Sequence, residues 1–277
     1  MKKDKPRTQS LNKNYDFLLS CKLSSGDIVA RLDNIPIKKN FHTENMARIG
    51  WEKENAFAKR NHLPIFNSSG LFLRRWYFNK NNKLHFDFGK TSFKEFVGIY
   101  KYHPEIYSKY GVNYVPLALA TFGILTTLDN KIVLAKRSDK VSGAKNMIAP
   151  IGGFLGKKTP KNGRIETGLF IFNSFKKEIT EETGIPRKNI VDTVLSGIVV
   201  KKDIGDLPRI IFQSKINLTS LEIKKIFLKH GDYENKKLIF IKKDRESLRG
   251  FLNKKNKSTY WTTEASITDM LARDLDH

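Results

Sequence analysis

The sequence predicts a mixed α/β protein, with an α/β/α sandwich built on a mixed sheet over residues 114–277 and a smaller α+β domain over residues 15–113. Two observations predict this architecture. Strand and helix patterns alternate after residue 114, which is typical of a sheet with helices on both faces. The segments 115–126 and 132–135 are so apolar that we expect them to pair as a hairpin in the middle of that sheet. Residues 1–14 are polar and basic without periodicity, so we expect a disordered tail.

The N-terminal domain has short patterns of alternating hydrophobicity separated by turn residues, which predicts paired strands. Thr43 is a candidate N-cap for the first helix, and Ser92 with Glu95 forms a capping box at the start of the second. The expected elements are, in chain order, strands at 15–21 and 28–32 paired with each other, a helix from Thr43 through Trp51 to Ala56, a hairpin of strands 71–78 and 84–88, and a helix after Ser92.

The C-terminal domain continues with a short strand near 146–150, followed by a Gly152-Gly153 turn that would let a backbone approach a ligand closely. A helix over about 168–183 is predicted from the apolar Phe170, Ile171 and Phe175, and Gly184 and Pro186 end it. The remaining expected elements are strands at 193–200 and 208–216, a helix at 220–229, a strand at 238–241, and helices at 245–252 and 263–275.

Composition narrows the classes of protein. Hydrophobic residues make up 39% and charged residues 29% of the 277 residues, and no apolar run could span a membrane. Cys21 is the only cysteine, which agrees with a reducing cytoplasm, and we expect it in the core. The net charge of +23 favours phosphate-bearing partners. Because the excess is spread along the chain and is mostly lysine, it gives little support to nucleic-acid binding.

Three carboxylates carry the strongest functional signal. Glu178, Glu181 and Glu182 stand at i, i+3 and i+4, so on a helix they project within about a quarter of the circumference. Like charges at this spacing repel one another, and a divalent cation converts the repulsion into ligation. Hard oxygen ligands suit Mg²⁺ or Mn²⁺, which also bind substrate phosphates. The pattern alone also fits an ordinary solvated helix face, but the apolar residues around it indicate a packed helix.

This segment resembles the signature of the Nudix hydrolases, Gly-x5-Glu-x7-Arg-Glu-U-x-Glu-Glu-x-Gly-U, where U is apolar. Here it reads Gly163-x5-Leu169-x7-Lys177-Glu178-Ile179-x-Glu181-Glu182-x-Gly184-Ile185. Leu169 replaces the first glutamate and Lys177 replaces the arginine that braces the loop. The resemblance implies metal binding and catalysis by Glu178, Glu181 and Glu182. We expect Lys177 to brace the loop less firmly than arginine would, and the segment 154–162 is longer than in most of the family.

The order of motifs outside this helix is similar to the branch of UDP-glucose and UDP-galactose diphosphatases. Residues 89–98 resemble its Gly-x-Thr segment, and Lys136-Arg137-Ser138 with Gly152-Gly153 resemble its later motifs. The resemblance implies a small-molecule nucleoside diphosphate derivative as substrate, with Arg137, Lys177, Gly152 and Gly153 as substrate-binding residues. Two alternatives stay open: an enzyme that processes RNA ends, and a Nudix fold kept as a catalytically weak binding module.

Overall fold

The computed structural model describes residues 15–32, 40–111, 114–115, 118–141, 143–156, 168–201, 207–254 and 258–274. Their regular elements are, in chain order, β1 (Tyr15–Leu23), β2 (Ile28–Leu32), α1 (Phe41–Arg60), β3 (Ser69–Phe78), β4 (Leu84–Ser92), α2 (Phe93–Tyr100), α3 (Pro104–Tyr110), β5 (Ala120–Thr126), β6 (Lys131–Arg137), β7 (Ile148–Ala149), β8 (Ile151–Phe154), α4 (Leu169–Thr183), β9 (Ile190–Lys201), β10 (Leu207–Ile216), α5 (Ser220–His230), β11 (Asn235–Lys242), α6 (Arg245–Asn253) and α7 (Trp261–Asp274). The expected tail 1–14 and most of the long segment 154–162 lie outside the described residues.

The larger sheet has the order β1-β9-β10-β5-β6-β11, and β8 and β7 pair with β5 and β6 respectively. The sheet is mixed, because β10 runs parallel to β5 whereas the other pairs are antiparallel. Phe175 of α4 stacks on Phe212 on one face, and Trp261 of α7 packs with Ile211 on the other. The predicted sandwich of helices around a mixed sheet is therefore confirmed.

A second sheet has three strands in the order β2-β4-β3. The β3–β4 hairpin agrees with the sequence prediction, and Leu84, Phe86 and Phe88 are all buried on its inner face. The predicted hairpin between the first two strands is wrong, because β1 pairs with β9 in the larger sheet while β2 runs parallel to β4. Ser24 and Asp27 instead form a 3₁₀ turn that carries the chain from one sheet to the other.

One hydrophobic core joins the two sheets. Its members come from β1, β2, β4, the larger sheet and α4, including Leu19, Leu32, Phe86 and Phe175. The first part of the chain therefore contributes a strand to the larger sheet and shares a core with it. The domain boundary at 113/114 stays a prediction.

Helices α1 and α2 cross at very short range. A Cβ on Gly98 would lie 2.9 Å from the Cα of Ala47, and one on Gly50 would lie 2.7 Å from the Cα of Gly98. Gly98, the last residue of the 89–98 segment, therefore has a packing role at this crossing. Helix α1 begins two residues before the predicted cap, because the side chain of Asn40, and not that of Thr43, accepts hydrogen bonds from the first turn.

Helix α4, which carries Glu178, Glu181 and Glu182, is positioned by its C-terminal end and its apolar face. Ile171, Phe172, Phe175 and Ile179 are buried against the sheet. Gly184 ends the helix at φ 75°, the left-handed conformation that glycine adopts at little cost. This anchoring fixes which side of α4 faces the neighbouring strand β8.

None of the helices in the described part of the chain is both long and apolar enough to cross a membrane.

Candidate active site

Two of the three predicted carboxylates face β8 and a large cavity. Glu178 and Glu182 are one helical turn apart on α4 and both line the cavity. The Glu178 carboxylate lies directly against Gly153, where a Cβ would be only 2.8 Å from its Cδ atom. Glycine at this position therefore makes room for a carboxylate of the protein itself.

Glu182 is held by residues from two other strands. Its side chain is 95% buried, and its Oε2 atom accepts a hydrogen bond from Nδ2 of Asn235 at 3.1 Å. Arg137, at the end of β6, places Nη1 3.9 Å from Oε1 of Glu182 and Nη2 3.0 Å from Oε2 of Glu234. Arg137 thus lies between two carboxylates at the cavity wall.

The carboxylates at and beside this wall have raised pKa values, chiefly because they are buried and secondly because they repel one another. Burial, with repulsion from Glu181, raises the pKa of Glu178 to about 7. Burial raises the pKa of Glu182 well above its ordinary value, against the favourable charge of Arg137. The pKa of Asp232 is raised to about 6 by burial and by Glu234. The wall therefore has more carboxylates than it can keep ionised unaided, and such a donor set suits a hard divalent cation.

Glu181 and Lys177 lie outside the cavity. They form an exposed ion pair of 2.8 Å at i, i+4 on the outer side of α4, with each side chain about half exposed. Glu181 is about 100° around the helix from Glu182, which explains why the two side chains diverge. No three His, Cys, Asp or Glu side chains of the described residues form a group able to hold a metal ion as they stand.

The two glycines lie in strand β8 and not in the turn that the sequence predicted. Gly152 pairs with Phe122 and Gly153 with Thr121 of β5. Gly152 has φ 151°, and a Cβ there would lie 2.7 Å from the Cα of Phe122, so only glycine fits without backbone movement. Both glycines and Arg137 line the cavity together with Glu178 and Glu182.

The cavity has a volume of about 570 Å³, within the range of small-molecule sites. At the end away from α4 its walls come from α1 and α2, where Phe96 stacks on Tyr100 and contacts Phe154 edge-on. Lys101 also lines this end, and its Nζ forms an ion pair of 2.6 Å with the buried Glu54. The cavity therefore combines an acidic end with an aromatic end.

Several residues in the cavity wall or directly beside it were not predicted from the sequence. Asp232, Tyr233, Glu234 and Asn235 form a polar cluster immediately before and at the start of β11. The two carboxylates of Asp232 and Glu234, just before a predicted strand, were a sequence signal that could have pointed to this part of the site. Arg209 on β10 also lines the cavity, and its sequence surroundings gave no indication of this.

The chain was compared with known proteins. No family model matches it, and no curated protein sequence matches it. Solved structures similar to it include a Nudix hydrolase from Nitrosomonas europaea, with 14% identity, a TM-score of 0.39, and coverage of 56% of this chain and 88% of that one. The MutT protein from Methanosarcina mazei Go1 has 12% identity, a TM-score of 0.37, and coverage of 57% and 94%.

A Nudix-family hydrolase from Clostridium perfringens has 13% identity, a TM-score of 0.31, and coverage of 56% of this chain and 96% of that one. Because all these TM-scores are below 0.5, the likenesses carry no weight for the substrate. The function has to follow from the residues of the site.

Proposed function

We propose that the protein is a divalent-metal-dependent hydrolase of the Nudix type that cleaves the diphosphate of a nucleoside diphosphate derivative. One observation carries the proposal: Glu178 and Glu182 of the signature helix meet Gly153 and Arg137 at one end of a cavity large enough for such a substrate. An ordinary solvated acidic face would leave both carboxylates exposed, whereas both are largely buried.

Glu178 and Glu182 would hold the cation, whereas Glu181, the third carboxylate of the motif, is paired with Lys177 outside the cavity. A bound Mg²⁺ would neutralise diphosphate charge and lower the pKa of a water nucleophile. Either cavity-facing carboxylate could then accept the proton of that water. Asn235 fixes the Glu182 carboxylate through a hydrogen bond, so that the donor is positioned before substrate arrives.

Arg137 is proposed to contact a substrate phosphate. In the free protein its guanidinium is shared between Glu182 and Glu234. A cation bound by Glu182 would weaken that attraction and leave the planar donor fork available to a phosphate. If Arg137 exchanged its carboxylate partner for a substrate phosphate in this way, metal binding would favour substrate binding.

A nucleotide sugar such as UDP-glucose is the proposed substrate class, with a nucleoside monophosphate and a sugar phosphate as products. The order of motifs over residues 89–153 supports this choice, as does the aromatic end of the cavity, which offers apolar surface to a base or sugar. Gly98 of that motif contributes packing between helices, and the nearby Tyr100 reaches the cavity wall.

The test is a screen of nucleoside diphosphate derivatives with Mg²⁺ and with Mn²⁺, read as release of nucleoside monophosphate. We expect Glu182→Gln to reduce turnover by at least about 100-fold, because an electrostatic contribution of the site is lost. Glu246→Gln is the matched control, since Glu246 is an exposed carboxylate in the first turn of α6. Absence of monophosphate release from every compound would refute the proposal.

A catalytically weak binding module is the second candidate, and two observations favour it. Leu169 occupies the position of the first glutamate and is 52% exposed at the start of α4, and Glu181 points away from the cavity. Calorimetric binding of Mg²⁺ and a nucleotide sugar without turnover would support this function. Turnover that depends on Glu182 would exclude it.

A further inference from the structure

Among the described residues, Arg209 is a buried cation for which no acidic partner is found. The residue is 2% exposed in β10, and its Nε atom is buried without a hydrogen-bond partner. Its one hydrogen bond to the described residues is from Nη1 to the carbonyl oxygen of Pro208, at 3.1 Å. A buried charge in this state is costly unless a ligand compensates it.

The side chain faces the cavity from the α7 side of the sheet. Ile211, two residues along β10, packs with Trp261 of α7, whereas Phe212 packs against α4 on the opposite face. Alternation along a strand therefore puts Arg209 on the side of Ile211. Its neighbour on β5 is the small Ala120, which leaves space beside the guanidinium.

The position of Arg209 is distinct from the acidic end of the cavity. Strand β5 separates β10 from β8, so Arg209 lies two strand spacings, or about 10 Å, from the backbone of β8. Glu178 lies against Gly153 on the α4 side. One extended ligand could therefore reach both ends of the cavity.

Two other cations of the cavity wall, neither of them fully buried, already have partners. Arg137 pairs with Glu234 and Lys101 pairs with Glu54. The aromatic rings of Phe122 and Tyr260 border the Arg209 side of the cavity and make its surface there largely apolar. In such apolar surroundings a guanidinium binds an anionic oxygen strongly.

We propose that Arg209 is a phosphate-binding residue for the substrate, on the α7 side of the sheet and separate from the Glu178–Glu182 end. This inference rests on the proposed function for the reaction, but the binding of phosphate can be measured without turnover. It adds a second positive contact, at a different place in the cavity from the one proposed for Arg137.

The experiment titrates inorganic pyrophosphate into the full-length protein in EDTA by calorimetry. Without metal the acidic end repels the anion, so binding reports on cationic groups. We expect Arg209→Met to weaken pyrophosphate binding at least tenfold and Arg209→Lys to restore part of it. Lys215→Met is the control, since it removes one exposed cation from the same strand, where Lys215 pairs with Asp192.

Thermal unfolding of the ligand-free variants separates binding from a structural role. We expect Arg209→Met to unfold at the same or a higher temperature than wild type, because it removes an unpaired buried charge. The proposal is overturned if Arg209→Met binds pyrophosphate as tightly as wild type does, or if wild type binds no pyrophosphate. It is also overturned if the unfolding temperature of Arg209→Met falls far below that of wild type.

The two proposals can fail independently. Arg209-dependent pyrophosphate binding without any hydrolysis would support the binding site and refute the enzyme. Hydrolysis with an unchanged KM in Arg209→Met would support the enzyme and overturn the binding site.

Discussion

Substitution of Gly153 by alanine tests the geometry of the acidic end directly. The new Cβ atom would lie 2.8 Å from Cδ of Glu178. Carbon atoms in contact prefer about 3.5–4.0 Å, so the carboxylate has to retreat by about 1 Å. Because the carboxylate is the end of a flexible side chain, this movement requires no change in the backbone.

The expected result is a loss of activity with little loss of stability. A misplacement of about 1 Å at a reacting centre can reduce the rate by about 100-fold. The free energy of unfolding should fall by less than about 1 kcal/mol, the size of a strained rotamer.

Gly152→Ala is the matched control, one residue away in the same strand. Its Cβ would lie 2.7 Å from the Cα of Phe122, and alanine would have to adopt φ 151°. Backbone cannot move aside as a side chain can, so we expect a loss of about 3 kcal/mol or more in unfolding free energy.

Urea denaturation and the hydrolysis assay are both needed for this pair. The reasoning fails if Gly153→Ala retains wild-type turnover, since Glu178 would then not act at the position described. It also fails if the two variants lose equal stability.

Three further predictions concern charge and burial away from the acidic end. Burial raises the pKa of the Cys21 thiol to about 12. The native protein should therefore not react with a thiol reagent at pH 8, whereas the protein unfolded in guanidinium chloride should react fully. Rapid labelling of the native protein would contradict the burial of Cys21. Hydrogen bonds from Ser220 lower the pKa of Asp129, so its stabilisation is complete above the unfolded pKa of about 3.9 and is lost as pH falls below it. Asp129→Ala should therefore cost about 1 kcal/mol at pH 7 and measurably less at pH 2, which urea titrations at the two pH values would check. Lys101→Met should cost about 3 kcal/mol because it leaves the buried Glu54 carboxylate bonded to the neutral hydroxyl of Tyr102 and no longer to a cation. Adding Glu54→Gln should recover part of this loss, and a single variant as stable as wild type would refute the pairing.

Elements held by short-range interactions could be predicted from the sequence. The capping box of Ser92 and Glu95 is present at the start of α2, and the β3–β4 hairpin has the predicted pairing. The partner of β1 could not be predicted, because an alternating strand specifies its buried face but not which distant strand it joins.

The site also has residues that local spacing predicts and residues that only the assembled fold reveals. The i, i+4 spacing of Glu178 and Glu182 predicts a shared face, and both line the cavity. The outward turn of Glu181 follows from its ion pair with Lys177, which competes with any inward position. Asn235, which donates a hydrogen bond to Glu182, and Arg209, which lines the cavity, come from strands far along the chain, so only the assembled sheet brings them to the site.

The pairing of β1 with β9 has a consequence for synthesis and truncation. Tyr15 lies opposite Lys201, so β1 leaves the ribosome well before its partner β9 and has to wait for it before the sheet is complete. Deletion of residues 1–23 would leave β9 with a row of unsatisfied amides and carbonyls. Such an edge can recruit strands from other molecules, so aggregation would be the expected defect of an N-terminally shortened chain.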